Sequence, residues 1–328
     1  MTLDEKISRF LKDVLGSFEP PQLLAGDASN RVYYRVRAGA GSYIVCYDVK
    51  LPGDEAYPFI NVHAIMKSAG VPVPQIFNVD AEAGLILQED LGDGLVEFIF
   101  DGLERPQKKA LYERIVDIML DIQSIRGWGG PFALRFDPEK LMYEFDFFIK
   151  HALCGYFGRR ADDGRMAALR REFEKICGIL DRPELSVLNH RDYHSRNVIV
   201  KLGKPYVIDF QDARLGLPQY DLVSLIRDSY LVLDESMFQE LKEYYHASAA
   251  KRGILAMPSR DFDHFFDIQA FQRNVKAVGT FGYQVSALGN MKFEKYIQPT
   301  LQYLDGYCAR RAELGIAGEM IKSLTIRP

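Results

Sequence analysis

The sequence predicts an α+β protein of two lobes, a small β-rich N-lobe over residues 1–92 and a larger, mainly helical C-lobe over 93–328. Three features predict it. Strand-like runs pair off through short turns upstream of Asp90-Leu91-Gly92-Asp93-Gly94. Helical periodicity dominates downstream of that connector. One short β block, residues 186–210, interrupts the helices.

Each element has its own signal. Leu3, Ile7, Phe10, Leu11, Val14 and Leu15 recur at helical spacing, and Gly16 stops the run. Arg31–Arg37 and Ser42–Asp48 alternate like strands around Gly39-Ala40-Gly41, which is hairpin chemistry. Residues 56–69 read as a helix closed by Gly70, and Val71-Pro72-Val73-Pro74 must then be extended. Gln75–Val79 and Leu85–Glu89 form a second hairpin. Helices follow at 104–126, 138–152 and 165–181, then at about 219–231, 235–252, 261–281 and 296–313. Trp128, the only tryptophan, is expected in the core.

Composition removes several classes. Hydrophobic residues make up 48% and charged ones 26% of the 328 residues, so the chain can offset the entropy of ordering and is not disordered. No apolar run approaches the roughly 18 residues of a membrane span. The start, MTLDEKISRFLKDVLG, lacks a signal peptide's apolar centre, so a cytoplasmic location is expected. A net charge of −4 argues against nucleic acid as a partner. Cys46, Cys154, Cys177 and Cys308 form no CxxC pair and read as reduced, mostly buried thiols.

The chemistry is concentrated in Leu188-Asn189-His190-Arg191-Asp192-Tyr193-His194-Ser195-Arg196-Asn197. His-Arg-Asp is followed after four residues by Asn, and twelve positions later Tyr206-Val207-Ile208-Asp209-Phe210 ends a strand on Asp-Phe. That is the spacing of a kinase catalytic loop and its metal-binding aspartate. Phosphoryl transfer needs a carboxylate to accept the proton of the attacking hydroxyl, and Asp192 fits. It also needs hard oxygen ligands for Mg²⁺, and Asn197 and Asp209 fit. A hairpin of Val198–Lys201 and Pro205–Asp209 would bring those two side by side. Only nine residues separate Phe210 from Tyr220-Asp221, and no Ala-Pro-Glu follows, so there is no platform for a peptide. The expected acceptor is a small molecule.

The stretch NHRDYHSRN…VIDFQDARLGLPQYDLVSLIRD resembles the aminoglycoside phosphotransferase family, small-molecule kinases of protein-kinase-like fold. Within it the chain is most similar to the bacterial anomeric kinases of N-acetylmuramate and N-acetylglucosamine used in cell-wall recycling. Gly26–Arg31 with Tyr34-Arg35, Pro58-Phe59, Gln88–Asp93 and Gln272–Gly279 extend the likeness over nearly the whole chain. The resemblance implies ATP and Mg²⁺ as cofactors, an amino sugar as substrate and a sugar 1-phosphate as product. It implies Asp192 as base, Asn197 and Asp209 on Mg²⁺, and Asp221 as a brace of the catalytic loop. Asp27, Ser29, Asn30 and Arg31 would belong to the loop over the phosphates, and Gln88, Glu89 and Leu91 to the adenine-binding hinge. Phosphorylation of an aminoglycoside, choline or homoserine is the alternative within the enzyme class, and a nucleotide-binding regulator the alternative outside it.

One departure stands out. The second strand, Tyr43-Ile44-Val45-Cys46-Tyr47-Asp48, has no lysine for the phosphates, and the helix from Phe59 to Ala69 has no glutamate to pair with one. Arg31 and Arg35 share a strand face by period-two alternation and are the nominated substitutes, with a pair of solvated edge charges as the other reading. Lys50 is the next candidate. His194 could reach the transferring group or the substrate, or serve only in loop packing. His190 reads as an internal hydrogen-bonding residue, and Arg196 as a phosphate contact or a surface charge. Gln269, Gln272, Arg273, Lys276 and Thr280 form one polar stripe, either an ordinary solvated face or a wall of the sugar site. With Glu144, Asp146 and Gln211 they are the candidate substrate contacts. Amides and cations without an acid suit an acidic or neutral sugar better than a polycation.

Overall fold

The computed structural model describes residues 2–24, 31–49 and 57–326. A five-stranded antiparallel sheet, ordered β1-β2-β3-β5-β4, is built from β1 (Gln22–Leu24), β2 (Val32–Ala38), β3 (Gly41–Tyr47), β4 (Ile76–Asp80) and β5 (Leu85–Glu89). Both expected hairpins form; β1 is an extra edge strand too short to show a period. Alternation divides the sheet. Val36, Val45, Leu85 and Leu87 point to one face, where Ile7, Phe10 and Leu11 of α1 (Leu3–Leu15) bury them. A capping box between Thr2 and Glu5 starts that helix. The opposite face carries two cross-strand rows, Arg35–Ile44–Gln88 and Tyr33–Cys46–Ile86. These face α2 (Pro58–Ser68) and the cleft.

From α3 (Val96–Ile99) onward the chain is mainly helical: α4 (Arg105–Ser124), α5 (Pro138–Phe148), α6 (Gly164–Leu180), α7 (Gln219–Ile226), α8 (Glu235–Lys251), α9 (Ser259–Ser286), α10 (Ile297–Arg310) and α11 (Gly315–Thr325). The architecture is two-lobed and protein-kinase-like. A wide turn at Ile149–Tyr156 prolongs α5. The 28-residue α9 is the central strut: 17 of its side chains are buried, polar ones among them. It packs close because Gly279 and Gly282 lie against the backbone of Phe148 and Ala152, where an added Cβ would sit at 2.9 and 2.6 Å.

The β insert consists of β6 (Val187–Asn189), β7 (Val198–Lys201), β8 (Lys204–Val207) and β9 (Arg214–Gly216). β7 and β8 form the expected hairpin, with Leu202 (φ 50°) and Gly203 (φ 74°) in a tight two-residue turn. β6 pairs with β9, a partnership no local pattern announced. Trp128 is a correction: it is 93% exposed, on a loop with glycines at 127, 129 and 130 that holds it clear of the core. All four cysteines are free, Cys46 and Cys177 buried, Cys154 and Cys308 only partly so. No helix among the described residues is long and apolar enough to cross a membrane.

Candidate active site

A cleft of about 840 Å³ opens between the sheet and the helices. Its first part is an apolar slot lined by Leu24 and Ile44 on the sheet side and by Ile199 and Ile208 on the other. Gln88, Glu89 and Leu91 form its back. The Gln88 side chain is buried, yet its Oε1 has no partner, an acceptor left for a ligand. Glu89 is turned outward to Lys201 (2.8 Å), so it meets the slot through its backbone. Asp27, Ser29, Asn30 and Lys50 lie outside the described residues.

The β7–β8 hairpin does the work expected of it. Val198 pairs with Val207 and the Ile208 N–H donates to the Asn197 carbonyl, so Asn197 and Asp209 emerge at neighbouring strand ends. Both line the cleft with Asp192. The Asn197 Nδ2 is spent on the Asp192 carbonyl (2.9 Å), so its oxygen is the atom that could take a cation. Asp209 holds a positive φ of 65° and receives Gln211 Nε2 at 3.0 Å. One carboxylate and one amide oxygen are a hard donor set that suits Mg²⁺, which keeps waters and takes phosphate oxygens for its other positions. A cluster of three or more acidic, cysteine or histidine ligands is absent among the described residues, so a metal that needs a full protein cage is not served here.

Asp192 sits among cations. Lys276 Nζ is 2.7 Å and Arg273 Nη2 3.7 Å from its Oδ1. Burial pushes its carboxyl up, but Lys276, Arg191 and Arg273 outweigh that and hold it well below the usual carboxylate range. His194 is buried against Tyr230, and its pKa is pushed down to about 3, by burial first and then by the Arg273 and Lys276 charges. It is therefore neutral, and its Nδ1 has no partner. His190 hydrogen-bonds the Ile208 carbonyl internally (3.0 Å).

Two buried carboxylates clamp the loop. Asp221 accepts the His190 and Arg191 N–H groups at 2.6 and 2.9 Å, which brings Arg191 into its positive-φ turn. Asp228, not singled out from the sequence, accepts Ser195 N–H (3.0 Å), Ser195 Oγ–H (2.5 Å) and Tyr230 N–H (2.8 Å). It lies just past the end of α7, the helix that carries Asp221. Burial pushes Asp221 up to about 7 and Asp228 to about 6, against the donors that favour their charged forms.

The polar stripe of α9 is not a solvated face. Gln269, Gln272 and Arg273 are buried, and Arg273, Lys276 and Thr280 line the cleft. Glu144 and Gln272 are not brought to the cavity wall. Gln272 Nε2 donates to Glu144 (2.9 Å), which lies 3.9 Å from Arg191, so the pair backs the catalytic loop. Asp146 is a surface partner of Arg170. Gln211 does face the cleft, with its Oε1 unpartnered. Arg196 crosses the acceptor end, bonded to Glu97 and stacked on Tyr230 at 3.9 Å.

The two nominated arginines part company. Arg35 is held by Asp90 (2.8 Å) and Asp93 (2.8 Å) at the hinge. Arg31 bonds Asp48 (2.8 Å), lies over the Phe59 ring and reaches to 3.6 Å from Asp209. Phe59 in turn stacks on Phe210. Arg31 is thus a cation beside Asp209, held by an acid that follows β3.

The profile of the phosphotransferase enzyme family matches residues 21–257. An N-acetylmuramate/N-acetylglucosamine kinase of Pseudomonas aeruginosa is 30% identical over 321 residues, 96% of this chain and 92% of that one. A protein of the same name from Neisseria meningitidis is 29% identical over 88% of this chain and 86% of its own length. Among solved structures, choline kinase LicA of Streptococcus pneumoniae has a TM-score of 0.65 at 16% identity, covering 93% of this chain and 99% of its own. An ADP-bound aminoglycoside phosphotransferase has a TM-score of 0.60 at 13% identity, over 92% and 98% of the two chains.

Proposed function

The chain belongs to the phosphotransferase enzyme family and is an ATP-dependent kinase, and from that premise we propose that it phosphorylates N-acetylmuramate and N-acetylglucosamine at the anomeric hydroxyl. The product is the sugar 1-phosphate. The observation that carries the substrate is the 30% identity to the Pseudomonas aeruginosa kinase across nearly the full length of both chains. The acceptor end of the cleft is lined by Arg196, Arg227, Arg273 and Lys276 together with Asp192, Asp212 and Asp228, so cations are there to meet a sugar carboxylate although most of them already face an acid.

In this reading adenine lies between Ile44 and Ile199–Ile208, with Gln88 Oε1 accepting from it. Asp192 orients the anomeric hydroxyl and takes its proton, and the His194 ring nitrogen hydrogen-bonds the sugar as a neutral group. Asn197 and Asp209 hold Mg²⁺, which supplies charge neutralisation at the phosphates. Arg31, braced by Asp48, is the cation on the other side of those phosphates. Catalysis here is positioning and electrostatics, not covalent help. The test is turnover of MgATP against a panel of amino sugars, aminoglycosides and amino alcohols, with ³¹P NMR of the product. An anomeric phosphate on N-acetylmuramate or N-acetylglucosamine is expected. Faster turnover of an aminoglycoside or choline would overturn the reading.

A further inference from the structure

Phosphoryl transfer needs positive charge on the acceptor side of the phosphorus as well as at the metal, and most cations around this cleft are already committed. Arg35 serves Asp90 and Asp93, Arg196 serves Glu97, and Arg227 serves Glu235. Arg31 sits at the metal side, between Asp48 and Asp209. His194, next to the base, is neutral. What remains is the group around Asp192, where one carboxylate faces two cations, Lys276 at 2.7 Å and Arg273 at 3.7 Å. The second bond of Arg273 goes to the neutral Ser224 Oγ (2.9 Å). Arg191, also facing this group, is balanced by Asp212 (3.0 Å) and Glu144 (3.9 Å). Three cations thus face three carboxylates here, and Lys276 is the cation in direct contact with the base on the cleft wall.

We propose that Lys276 is a catalytic residue whose ammonium group binds the oxygens of the phosphoryl group in flight, so that α9 supplies a cation on the acceptor side as Arg31 does on the metal side. The proposal rests on the kinase reading above. As the hydroxyl oxygen bonds to the γ-phosphorus, the bond to the β–γ bridging oxygen breaks and ADP leaves with the electron pair. The hydroxyl proton passes to Asp192. That proton cancels the charge which holds Lys276, and the ammonium is released to the phosphoryl oxygens a short swing away. A lysine suits the role better than an arginine, because its charge is compact and its stem turns freely. The close seat of α9 on Phe148 and Ala152, one and two turns further along, fixes where that stem starts.

The test uses the full chain with Lys276→Met and Lys276→Arg. Loss of a transition-state cation predicts that Lys276→Met lowers kcat by about 10²-fold or more, with the KM values for ATP and sugar moving less than about three-fold. Lys276→Arg should recover at least about ten-fold of the loss, since it restores charge but not shape. Aluminium fluoride, which mimics the phosphoryl group beside MgADP, should tighten MgADP binding to the wild type and not to Lys276→Met. A kcat within about three-fold of wild type, or unchanged fluoride tightening, overturns the proposal. If Lys276→Met does not fold, Lys276→Arg and Lys276→Gln carry the comparison, the first expected to keep the fluoride effect and the second to lose it. The ratio is taken with whichever alcohol the wild type accepts. Failure of the amino-sugar reading therefore shows in the wild type alone, and failure of this one only in the variants.

Discussion

At Asp192 burial and neighbouring charge oppose each other, and the neighbours win. A carboxylate kept ionised in this way is poised to receive a proton only as the hydroxyl becomes acidic in the transition state. Asp192→Asn should lower turnover by about 10²-fold or more while nucleotide binding survives, checked by steady-state kinetics and ADP titration. If Arg31 is the proposed phosphate cation, Arg31→Ala removes a charge-assisted contact worth roughly 1.5–3 kcal/mol, so KM for ATP should rise and turnover fall, together on the order of ten- to a hundred-fold. Sugar affinity should stay put, and lysine at 31 should rescue only in part, for want of the fork that holds Asp48. Normal ATP kinetics in Arg31→Ala would exclude it. Asp221 gives a pH signature. Its folded pKa is raised from 3.8 to about 7, so the folded chain binds that proton more tightly than the unfolded one. Its contribution to stability is full below about pH 4, by that same shift, and is lost as pH rises through 7. Asn at 221 cannot titrate. The stability of the wild type relative to Asp221→Asn should therefore fall between pH 4 and pH 8 in denaturant titrations, and a constant difference would contradict the shift. The meeting of Asn197 and Asp209 beside Asp192 was legible because the β7–β8 hairpin sets the spacing of the first two. Asp228 was not noticed, since two of its three bonds come from backbone N–H groups and the third from Ser195, 33 residues away, outside any local window.

Among the elements, α9 shows where periodicity stops being informative. Read alone, its stripe of amides and cations has the look of a face turned to water. The helix is buried all round, and the stripe is matched by Glu144, Asp192 and Ser224 contributed from α5, the catalytic loop and α7. Polar residues in a buried helix need partners from distant sequence, and no window of local pattern contains them. The pairing of β6 with β9 was hidden for the same reason, while β2–β3, β4–β5 and β7–β8 were legible because their turns are local. The glycines of α9 make the packing testable. Gly282→Ala gains roughly 1 kcal/mol in helix propensity. Against that, its Cβ would lie 2.6 Å from the Ala152 Cα, and backbone cannot step aside as a flexible side chain would. Overpacking of this kind costs roughly 1–3 kcal/mol, so the melting temperature should fall. Activity should fall with it, because α9 carries Arg273 and Lys276. A variant with raised stability would show that the helices can slide apart freely.

For the molecule as a whole, the cleft is the joint between the sheet and the helices, crossed by the stacking of Phe59 on Phe210 and by the Val207 N–H donating to the Pro72 carbonyl as well as by ionic ties. Arg31 meets Asp209, and Lys201 meets Glu89 and the Asp90 carbonyl. Nucleotide should add to those ties, since its base lies against side chains from both sides and its phosphates lie between Arg31 and the metal ligands. A ligand that binds only the folded chain stabilises it by about 2.7 kcal/mol at a hundred times its dissociation constant. Thermal melting should therefore rise with MgATP or MgADP, and rise less with nucleotide in the presence of EDTA. The difference between the two is the share that runs through the metal. Asp209→Ala should abolish that share and Mg²⁺-dependent turnover together, while the variant alone melts close to wild type, because Asp209 is 43% exposed and supports no core. Asn197→Ala should act the same way but lose some intrinsic stability, since its amide also holds the Asp192 carbonyl. A folded Asp209→Ala variant that keeps the Mg²⁺-dependent rise in melting temperature would remove the metal from this hairpin and with it the assignment of both ligands.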